Sequence, residues 1–358
     1  MTDGHLKLTA YFGERLRDGD RFLADALLGV YADAGLVTSV VLRGIASFGP
    51  RHVLRSDQSL SLSEDSPIVV AAVDTADKIG PLADVVAEMT PRGLVTVERA
   101  RLVGRSDATV PDTVQLNTVK LTIYLGRQDR VAGRPAHRAI CAALYRHGFA
   151  GAAVFLGVDG TRYGRRRRAR FFSRNTDVPQ MIVAVGDAAQ LALVQPELET
   201  MLDDPLCTVE RVQICKRDGA LVAPPTPLPD TDDNGRRLWQ KLAVHTSEAT
   251  LHDGAPIHRA LVARLRGSDV VSGATVLRGA WGFHGDHEPH GDKLFQLTRK
   301  VPVTTIIVDS PERIAEAFPI VDELTAEHGL VTSELVPALV SIDGGQRVGD
   351  TRLASFEY

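Results

Sequence analysis

Apolar and polar residues alternate in three short segments that are similar to one another. The segments read LKLTAYFGE, VKLTIYLGR and QKLAVHTSE, and they begin at Leu6, Val119 and Gln240. Alternation with a period of two is typical of a β-strand with one buried face. Each segment has a lysine followed by a leucine, so the three segments are the first strands of three sequence repeats. The lysines at the matching position are Lys7, Lys120 and Lys241.

A segment with apolar residues at helical spacing follows each of these strands. The apolar stripes consist of Leu23, Ala26, Leu27, Val30 and Tyr31 in the first repeat, Ala136, Ile140, Ala143 and Leu144 in the second, and Ile257, Ala260, Leu261 and Leu265 in the third. This spacing predicts an amphipathic helix in each repeat. Gly35 and Gly148 follow the first two helices and are expected to end them in a left-handed conformation.

The rest of each repeat predicts two strands, a helix and a last strand. The third strand reads IVVAAVD, MIVAVGD or TTIIVDS, and such nearly continuous apolar runs predict burial on both faces. A second helix follows, with its N-terminus at Asp74-Thr75, Asp187 or Ser310. The order βαββαβ therefore occurs three times, which is the ferredoxin-like arrangement.

Composition and charge narrow the function classes. The 358 residues carry a formal net charge of −4, which argues against general nucleic-acid binding, because that function usually leaves a basic footprint. The three cysteines form no metal or redox motif. The first residues show no signal-peptide pattern, and no apolar run reaches the about 20 residues of a membrane span. We expect a cytoplasmic protein that is not embedded in a membrane.

The end of the second strand carries the residues of a known family. The first repeat reads RGIASFG and continues with LSLSEDSPIVVAAVD, and the third repeat reads RGAWGFHG. These segments resemble the PII-like family called domain of unknown function 190. The second repeat departs from the pattern: it keeps only Gly157 of the motif and has FSRNTD in place of the LSED segment. The resemblance implies ferredoxin-like modules related to PII signalling proteins, which assemble as trimers.

The predicted fold class is α+β, with three tandem ferredoxin-like βαββαβ modules packed as an intramolecular pseudo-trimer. A third strand that is buried on both faces needs a second covering surface, and three modules around one axis supply it. The predicted modules are 1–104, 115–216 and 238–340, with a proline- and aspartate-rich extended linker at 217–237 and a polar tail at 341–358. We expect the chain to be a monomer.

The resemblance also implies a ligand site. Nucleotide phosphates in PII proteins lie near the turn before the last strand and the base of the long loop after the second strand. The residues that match these places are Arg43, Gly44, Arg92, Gly93, Arg278 and Gly279. Arginine beside glycine offers a charged fork and backbone N–H groups to one anion. The alternative is that the glycines only turn the chain at strand ends.

Two further loops carry candidate chemistry. The loop of the second repeat holds an arginine cluster that is a candidate for binding an acidic partner or an anion, made of Arg165, Arg166, Arg167, Arg168 and Arg170. The loop of the third repeat, 281–292, contains His284, His287 and His290, which have donor atoms suited to zinc. The strict zinc motifs are absent, so we predict no metal and no cofactor. For each loop the alternative is a solvated surface segment.

No catalytic motif of a hydrolase, a P-loop enzyme or a paired-carboxylate enzyme is recognisable in the sequence. The leading hypothesis is a non-enzymatic PII-like regulator that binds a small anion such as a nucleotide between modules and presents its loops to a protein partner. The resemblance suggests a membrane transporter or channel as that partner, since family members tend to be encoded beside fluoride-exporting channels. The alternatives are a metal-handling protein or enzyme centred on the histidine-rich loop, and a structural interaction module without a ligand.

Overall fold

The fold is seen in a computed structural model, which describes residues 4–56, 65–103, 118–168, 178–202, 205–285, 287–291 and 300–356. Within these ranges each repeat has the predicted order of strands and helices, except that the second strand is divided in the second and third repeats and the last strand is divided in the second. The six helices of the described residues lie against one large antiparallel sheet that passes through all three repeats. We call the repeats copy 1, copy 2 and copy 3.

The main elements follow one another in the same order in each copy. Copy 1 consists of β1 (His5–Gly13), α1 (Leu23–Asp33), β2 (Thr38–Phe48), β3 (Pro67–Thr75), α2 (Ala76–Met89) and β4 (Gly93–Val103). Copy 2 consists of β5 (Thr118–Gly126), α3 (Ala136–Arg146), β6 (Gly151–Leu156), β7 (Asp159–Arg162), β8 (Pro179–Asp187), α4 (Ala188–Met201), β9 (Leu206–Arg211) and β10 (Gln213–Arg217).

Copy 3 continues the same numbering and is followed by a C-terminal hairpin. Its elements are β11 (Trp239–Ser247), α5 (Ile257–Ser268), β12 (Ala274–Arg278), β13 (Trp281–His284), β14 (Pro302–Asp309), α6 (Pro311–Leu324) and β15 (Leu330–Val336). The hairpin is formed by β16 (Ala338–Asp343) and β17 (Gln346–Asp350). Two-residue strands complete the structure at Arg17–Asp18, Arg21–Phe22, Arg55–Ser56, Arg130–Val131, Arg134–Pro135, Arg165–Arg166, Ala220–Leu221, Leu251–His252, Ala255–Pro256 and His290–Gly291.

The helices form where the apolar spacing predicts them. Helix α1 buries most of the expected stripe, but Leu28 is buried and Val30 is only half-buried. Gly35 and Gly148 have positive φ angles of 60° and 77°, as expected of the residues that end α1 and α3. Of the expected N-caps, Asp187 and Ser310 accept a backbone hydrogen bond from their own helix, whereas Thr75 makes no side-chain cap.

The third strand is buried on both faces, as the continuous apolar run predicts. Every residue of β3 from Pro67 to Asp74 is buried. Val70 lies in the core beneath the helices of copy 1. Val69, on the opposite face, belongs to a cluster with Phe155 of copy 2 and Leu277 of copy 3. The other copies therefore supply the second covering surface.

The second strands of the three copies pair with one another in a closed order. The second half of β2 pairs with β12 of copy 3, and β13 of copy 3 pairs with β6 of copy 2. Strand β7 of copy 2 then pairs with the first half of β2. The second strand of each copy thus pairs with the second strands of both other copies.

The last strands form a second closed order. The end of β4 pairs with β9 of copy 2, β10 pairs with β15 of copy 3, and β16 returns to pair with the beginning of β4. Because both sets of pairings link all three copies, each copy is hydrogen-bonded through its strands to the other two.

Two segments outside the copies have more structure than their composition suggested. Within the predicted linker, Ala220–Leu221 pairs with β10, and the side chain of Asp232 is buried. In the predicted polar tail, β17 pairs with β16 along five residues. The polar composition of β17 conceals this strand from a search for apolar alternation, since all five of its residues are exposed.

Placing a charge in the third strand tests how strictly its two faces are buried. We expect Val70→Asp to lower the free energy of unfolding by at least about 3 kcal/mol, because the carboxylate would have neither water nor a partner. The matched control is Val85→Asp on the exposed face of α2, which should cost less than about 1 kcal/mol. Urea denaturation followed by circular dichroism measures both. Equal losses for the two variants would contradict the assignment of β3 to the core.

Candidate functional site

Six charged side chains from the three copies meet in one buried ring. The ring consists of the first-strand lysines Lys7, Lys120 and Lys241 and the last-strand glutamates Glu98, Glu210 and Glu334. Each of the six residues is at most 8 % exposed. Every lysine contacts two glutamates and every glutamate contacts two lysines, so positive and negative charges alternate around a closed circle.

Strand register builds the ring from one pair in each copy. Lys7 is directly opposite Glu98 across β1 and β4, and the other two copies repeat this pairing. Each ammonium also reaches the next copy: Lys7 Nζ lies 2.6 and 2.7 Å from the two carboxylate oxygens of Glu210. Lys120 makes the corresponding contact with Glu334, and Lys241 with Glu98. The ring therefore joins all three copies at their centre.

Mutual attraction favours the charged forms of the three lysines and of Glu98 and Glu334. Burial acts to raise the pKa of Glu334, but the nearby Lys120 and Lys241 outweigh it and lower that pKa to about 2. Glu98 shows the same competition, and its pKa is also lowered. Burial acts to lower the pKa of each lysine, and the neighbouring carboxylates raise it above its usual value. The lysines thus stay protonated at neutral pH and are not amine nucleophiles.

The three ring carboxylates are also the described residues that come closest to a metal-binding set. Their ligand atoms lie within 4.8 Å of one another. Three lysines balance their charge, however, and a cation would have to displace ammonium groups that already contact every carboxylate. The arrangement therefore suits a structural junction rather than a cation site.

A small cavity of about 90 Å³ lies beside the ring, between residues of all three copies. This volume has room for a few water molecules. His245 lines the cavity, and its Nδ1 lies 3.0 Å from Oγ1 of Thr304. Burial lowers the pKa of His245 to about 4, so its ring is neutral at pH 7. The rest of the lining is mostly apolar.

The thiols do not add a nucleophile. Cys141, Cys207 and Cys215 are free and buried, and burial raises the pKa of each thiol to about 12. A thiol with such a pKa is protonated at neutral pH and reacts slowly.

The arginines predicted to bind a ligand at the second strand already have partners. Arg43 lies 2.5 Å from Glu14, and Arg278 lies 2.7 Å from Glu248. The register opposes Gly44 to Leu277, so these two pairs flank the junction of β2 and β12. The structure thus brings Arg43 and Arg278 to one place, with each guanidinium held by a glutamate of its own copy.

The predicted glycines lie where strands approach closely. A Cβ at Gly44 would be 2.8 Å from the carbonyl oxygen of Val276 in copy 3, and one at Gly157 would be 2.2 Å from that of Pro179. Gly279 is less crowded, with 3.2 Å to the carbonyl oxygen of Val154. Gly93 has a φ of 149°, which favours glycine, and its Cβ would be 2.3 Å from the carbonyl oxygen of Tyr11. The close approach of neighbouring strands is therefore enough to favour glycine at Gly44, Gly93 and Gly157, and a ligand role for Gly44, Gly93 and Gly279 stays a prediction.

Arg92 contacts a segment that the ligand hypothesis did not include. Its Nε lies 2.9 Å from one carboxylate oxygen of Asp343, and Nε of Arg51 lies 2.9 Å from the other. Arg92 is in the turn before the last strand of copy 1, Arg51 follows its second strand, and Asp343 ends β16 after copy 3. We call these three residues the tip cluster.

The tip cluster is separate from the position of Arg43. Strand register puts Arg43 and Gly93 on one row of the sheet, three strand spacings apart. At about 4.8 Å for each spacing, their backbones are about 14 Å apart. The ligand site predicted to include both Arg43 and Arg92 would therefore have to extend across three strand spacings, and it stays a prediction.

Part of the predicted arginine cluster links copy 2 to copy 1. The guanidinium of Arg166 contacts Asp159 of its own hairpin and Asp25 of α1. The hydrogen bonds with these carboxylates raise the pKa of Arg166 above its usual value. Nε of Arg168 lies 3.6 Å from Asp159, Arg165 is exposed, and Arg167 also has contacts. Arg170 lies outside the described residues, and a role of this cluster in partner binding stays a prediction.

The three predicted histidines of the loop 281–292 lie close together, but their rings do not point to one common position. The rings of His284 and His287 are 5.5 Å apart and nearly perpendicular, and Nδ1 of His290 is 2.7 Å from the carbonyl oxygen of Glu288. Burial, and then the neighbouring His287, lower the pKa of His284. Within the described ranges these histidines do not bring three ligand atoms within 4.8 Å. The prediction that the loop holds no metal stays a prediction.

Comparison with known proteins explains the three copies. The model of the DUF190 family, whose description is "Uncharacterized ACR", matches residues 5–102, 118–214 and 239–338. The chain belongs to the DUF190 family. A UPF0166 protein from Aquifex aeolicus (strain VF5) is 33 % identical over 99 residues, which are 27 % of this chain and 90 % of that protein. The relative is therefore about as long as one DUF190 copy.

A solved structure also aligns with the DUF190 chain, but only loosely. It is the crystal structure of aspartate kinase from Synechocystis, with a TM-score of 0.27 and 12 % identity. The alignment covers 96 % of this chain and 46 % of the kinase, so the chain spans less than half of that protein. In the described part of the DUF190 chain, no helix is long and apolar enough to cross a membrane.

Sequence reasoning missed one half of the ring. The pattern of the first strands identifies the lysines as repeat markers but does not point to the glutamates as their partners. The signal was present, because the last strands read LVTVERARLV, CTVERVQIC and LVTSELVPAL, each with one glutamate in register. A charge of each sign at matching positions of all three DUF190 copies would have suggested a shared buried junction.

Removing one charge tests the ring. We expect Glu98→Gln to lower the free energy of unfolding by about 3–5 kcal/mol, because Lys7 and Lys241 would be left incompletely compensated in the core. The matched control is Glu14→Gln, which removes an exposed carboxylate paired with Arg43 and should cost less than about 1 kcal/mol. Guanidinium denaturation at pH 7 measures both variants.

The same junction should respond to acid with a defined sign. The pKa of Glu334 falls from 4.5 to about 2 on folding, so its stabilisation is complete above about pH 4.5 and is lost as the pH falls towards 2. The difference in unfolding free energy between the wild type and Glu334→Gln should therefore shrink between pH 5 and pH 2. A difference that stays constant over this range would contradict a charged glutamate in the ring.

Proposed function

We propose that this chain is a non-enzymatic PII-like regulatory protein that binds a small anion such as a nucleotide. In this proposal the three DUF190 copies are ferredoxin-like modules that form a pseudo-trimer within one chain. The closed ring of six charges and the two closed orders of strand pairing support the architecture, because each copy makes the same kinds of contact with its neighbours.

The tip cluster carries the ligand part of the proposal. Two guanidinium groups, those of Arg51 and Arg92, share the single carboxylate of Asp343, which leaves one positive charge in excess. All three side chains are partly exposed. An anion with several oxygens can therefore accept hydrogen bonds from both forks, which is the geometry that arginine offers to phosphate.

The position of the tip cluster agrees with the resemblance to PII proteins. Arg92 belongs to the turn before a last strand, and Arg51 to the beginning of the loop after a second strand. In this proposal the carboxylate of Asp343 offsets the repulsion between the two arginines in the absence of ligand. A bound anion then replaces Asp343 as their negatively charged partner. Binding would then change the contact between copy 1 and the hairpin that follows copy 3.

In this proposal, binding of the anion is sensed by a protein partner that contacts the loops after the second strands. A membrane transporter or channel is the class of partner that the family resemblance suggests, and the anion would set the conformation that the partner recognises. Within the described residues, the histidine-rich loop does not bring three ligand atoms within 4.8 Å of one another, so the geometry does not favour a metal enzyme over this function.

A monomer is the expected state in solution, because the chain itself supplies all three modules. Sedimentation velocity at micromolar protein should give one species with the mass of a single chain and a compact shape. A compact trimer of chains would show that each chain does not complete its own ring of modules and would contradict the pseudo-trimer.

Two opposite substitutions test the tip cluster. Arg92→Ala should weaken binding of ATP or inorganic phosphate by about 1.5–3 kcal/mol, the contribution of a hydrogen bond to a charged group. Asp343→Asn should strengthen binding, because it removes the carboxylate that competes for both arginines. Arg43→Ala is the matched control, since that arginine is paired with Glu14 elsewhere and should leave affinity unchanged.

Isothermal titration calorimetry measures these affinities. The proposal fails if the wild type binds no anion more tightly than about 1 mM, and an interaction module without a ligand then becomes the better description. It also fails if Arg92→Ala binds as well as the wild type, or if Arg43→Ala loses as much affinity as Arg92→Ala.

A further inference from the structure

A groove of about 660 Å³ lies mostly outside the three segments that match the DUF190 family, with Trp239 and Ala338 at the two ends of the third segment. Its walls come from the end of the segment between copies 2 and 3 and from the C-terminal residues after copy 3. The side chains that matter are those of Arg236, Arg237, Trp239, Asp350 and Arg352. The size is within the range of about 300–1,000 Å³ that is usual for small-molecule sites.

The two walls are fastened together by a buried carboxylate. Asp232 accepts hydrogen bonds from the backbone N–H groups of Asn234 and Arg236, at 2.9 and 2.8 Å, and of Ser355, at 2.7 Å. The guanidinium of Arg236 donates to the carbonyl oxygen of Leu353. The linker turn and the C-terminal segment thus hold each other, and the groove between them is defined before any ligand binds.

The groove carries an excess of positive charge in a chain whose net charge is −4. The lining contains three guanidinium groups and one carboxylate, that of Asp350. Arg352 donates two hydrogen bonds to this carboxylate. The guanidinium of Arg236 donates to a backbone carbonyl, and its charge also acts on the carboxylates of Asp232 and Asp350. The side chain of Arg237 is exposed and has no partner among the residues that the structure describes.

An aromatic ring lies next to these charges. Trp239 lines the groove and also packs with Val336 and Leu339 in an apolar cluster. Gly349 sits against the ring, because a Cβ there would be 3.0 Å from Cζ2 of Trp239. Trp239 is only 7 % exposed, so the groove meets a small part of its indole and not an open ring face. The groove therefore combines a narrow apolar contact with long cationic side chains, and these side chains suit a phosphate.

We propose that this groove binds a phosphorylated small molecule of nucleotide size, with its phosphate on Arg237 and Arg352 and the rest of the molecule along the groove beside Trp239. The site is distinct from the tip cluster and does not depend on it. The groove and the tip cluster lie towards opposite ends of the β16–β17 hairpin, since Gly349 and Asp350 pair with Val340 and Leu339 near the base, whereas Asp343 is at the turn.

Tryptophan fluorescence gives a readout specific to this groove. The chain has two tryptophans, so Trp281→Phe leaves Trp239 as the only one. Titration of this variant with AMP should change the emission of Trp239, and calorimetry of the wild type should give the dissociation constant. AMP should bind more tightly than inorganic phosphate, and adenosine should bind at least tenfold more weakly than AMP if the arginines hold the phosphate.

Substitutions in the groove separate charge from packing. Arg237→Gln should weaken AMP binding at least tenfold, which corresponds to about 1.4 kcal/mol, and Arg237→Lys should recover part of the loss. Asp350→Asn should strengthen binding, because it frees Arg352 from its carboxylate. Arg237 is exposed, so its variants should keep the thermal stability of the wild type, and Arg92→Ala should leave the Trp239 signal unchanged.

The outcomes distinguish this site from the tip cluster. AMP binding that survives Arg237→Gln but is lost in Arg92→Ala would overturn the groove site and support the tip cluster. Loss in Arg237→Gln alone supports the groove whatever happens at the tip. No binding of AMP by the wild type below about 1 mM, or equal affinity of adenosine and AMP, would overturn the proposal.

Discussion

The closed ring of three lysines and three glutamates is the constraint on which the rest of the structure depends. Its six charges are buried, and a buried ion is stable only when partners replace its hydration. Each copy provides one ion of each sign, but the partners that complete their coordination come from the other copies. The three copies must therefore meet in one orientation. In that orientation their second strands and their last strands form the two closed orders of pairing.

Joining the copies in one chain has let them become different around this shared centre. Copies 1 and 3 keep an arginine before the second-strand glycine, with Glu14 and Glu248 as partners, whereas copy 2 has Leu156 there. The segments between and after the copies have also acquired roles of their own. The tip cluster and the arginine groove both use residues of the C-terminal hairpin or its surroundings, which lie outside the three family matches.

Sequence patterns predicted the elements of each copy well, because local spacing governs them. The double burial of β3, the helix stripes and the glycines after α1 and α3 all follow from short-range periodicity. The sites could not be predicted in the same way, since their geometry depends on which distant residue completes a pair. Arg43 and Arg92 have similar sequence surroundings, but one meets Glu14 and the other Asp343. No local pattern contains the second partner, which in the latter case lies about 250 residues away along the chain.

The closing of the ring has a consequence for the order in which the molecule can fold. Lys7 and Glu98 belong to the first copy, but Lys241 and Glu334 belong to the third copy and emerge from synthesis after the first two copies. Until then the early charges have no complete set of partners, and β4 lacks the strand β16 that later covers its edge. Contacts of such long sequence separation are slow to form. A nascent chain therefore keeps its centre hydrated and its sheet edges open until the third copy arrives, and this interval is when it most needs protection from aggregation.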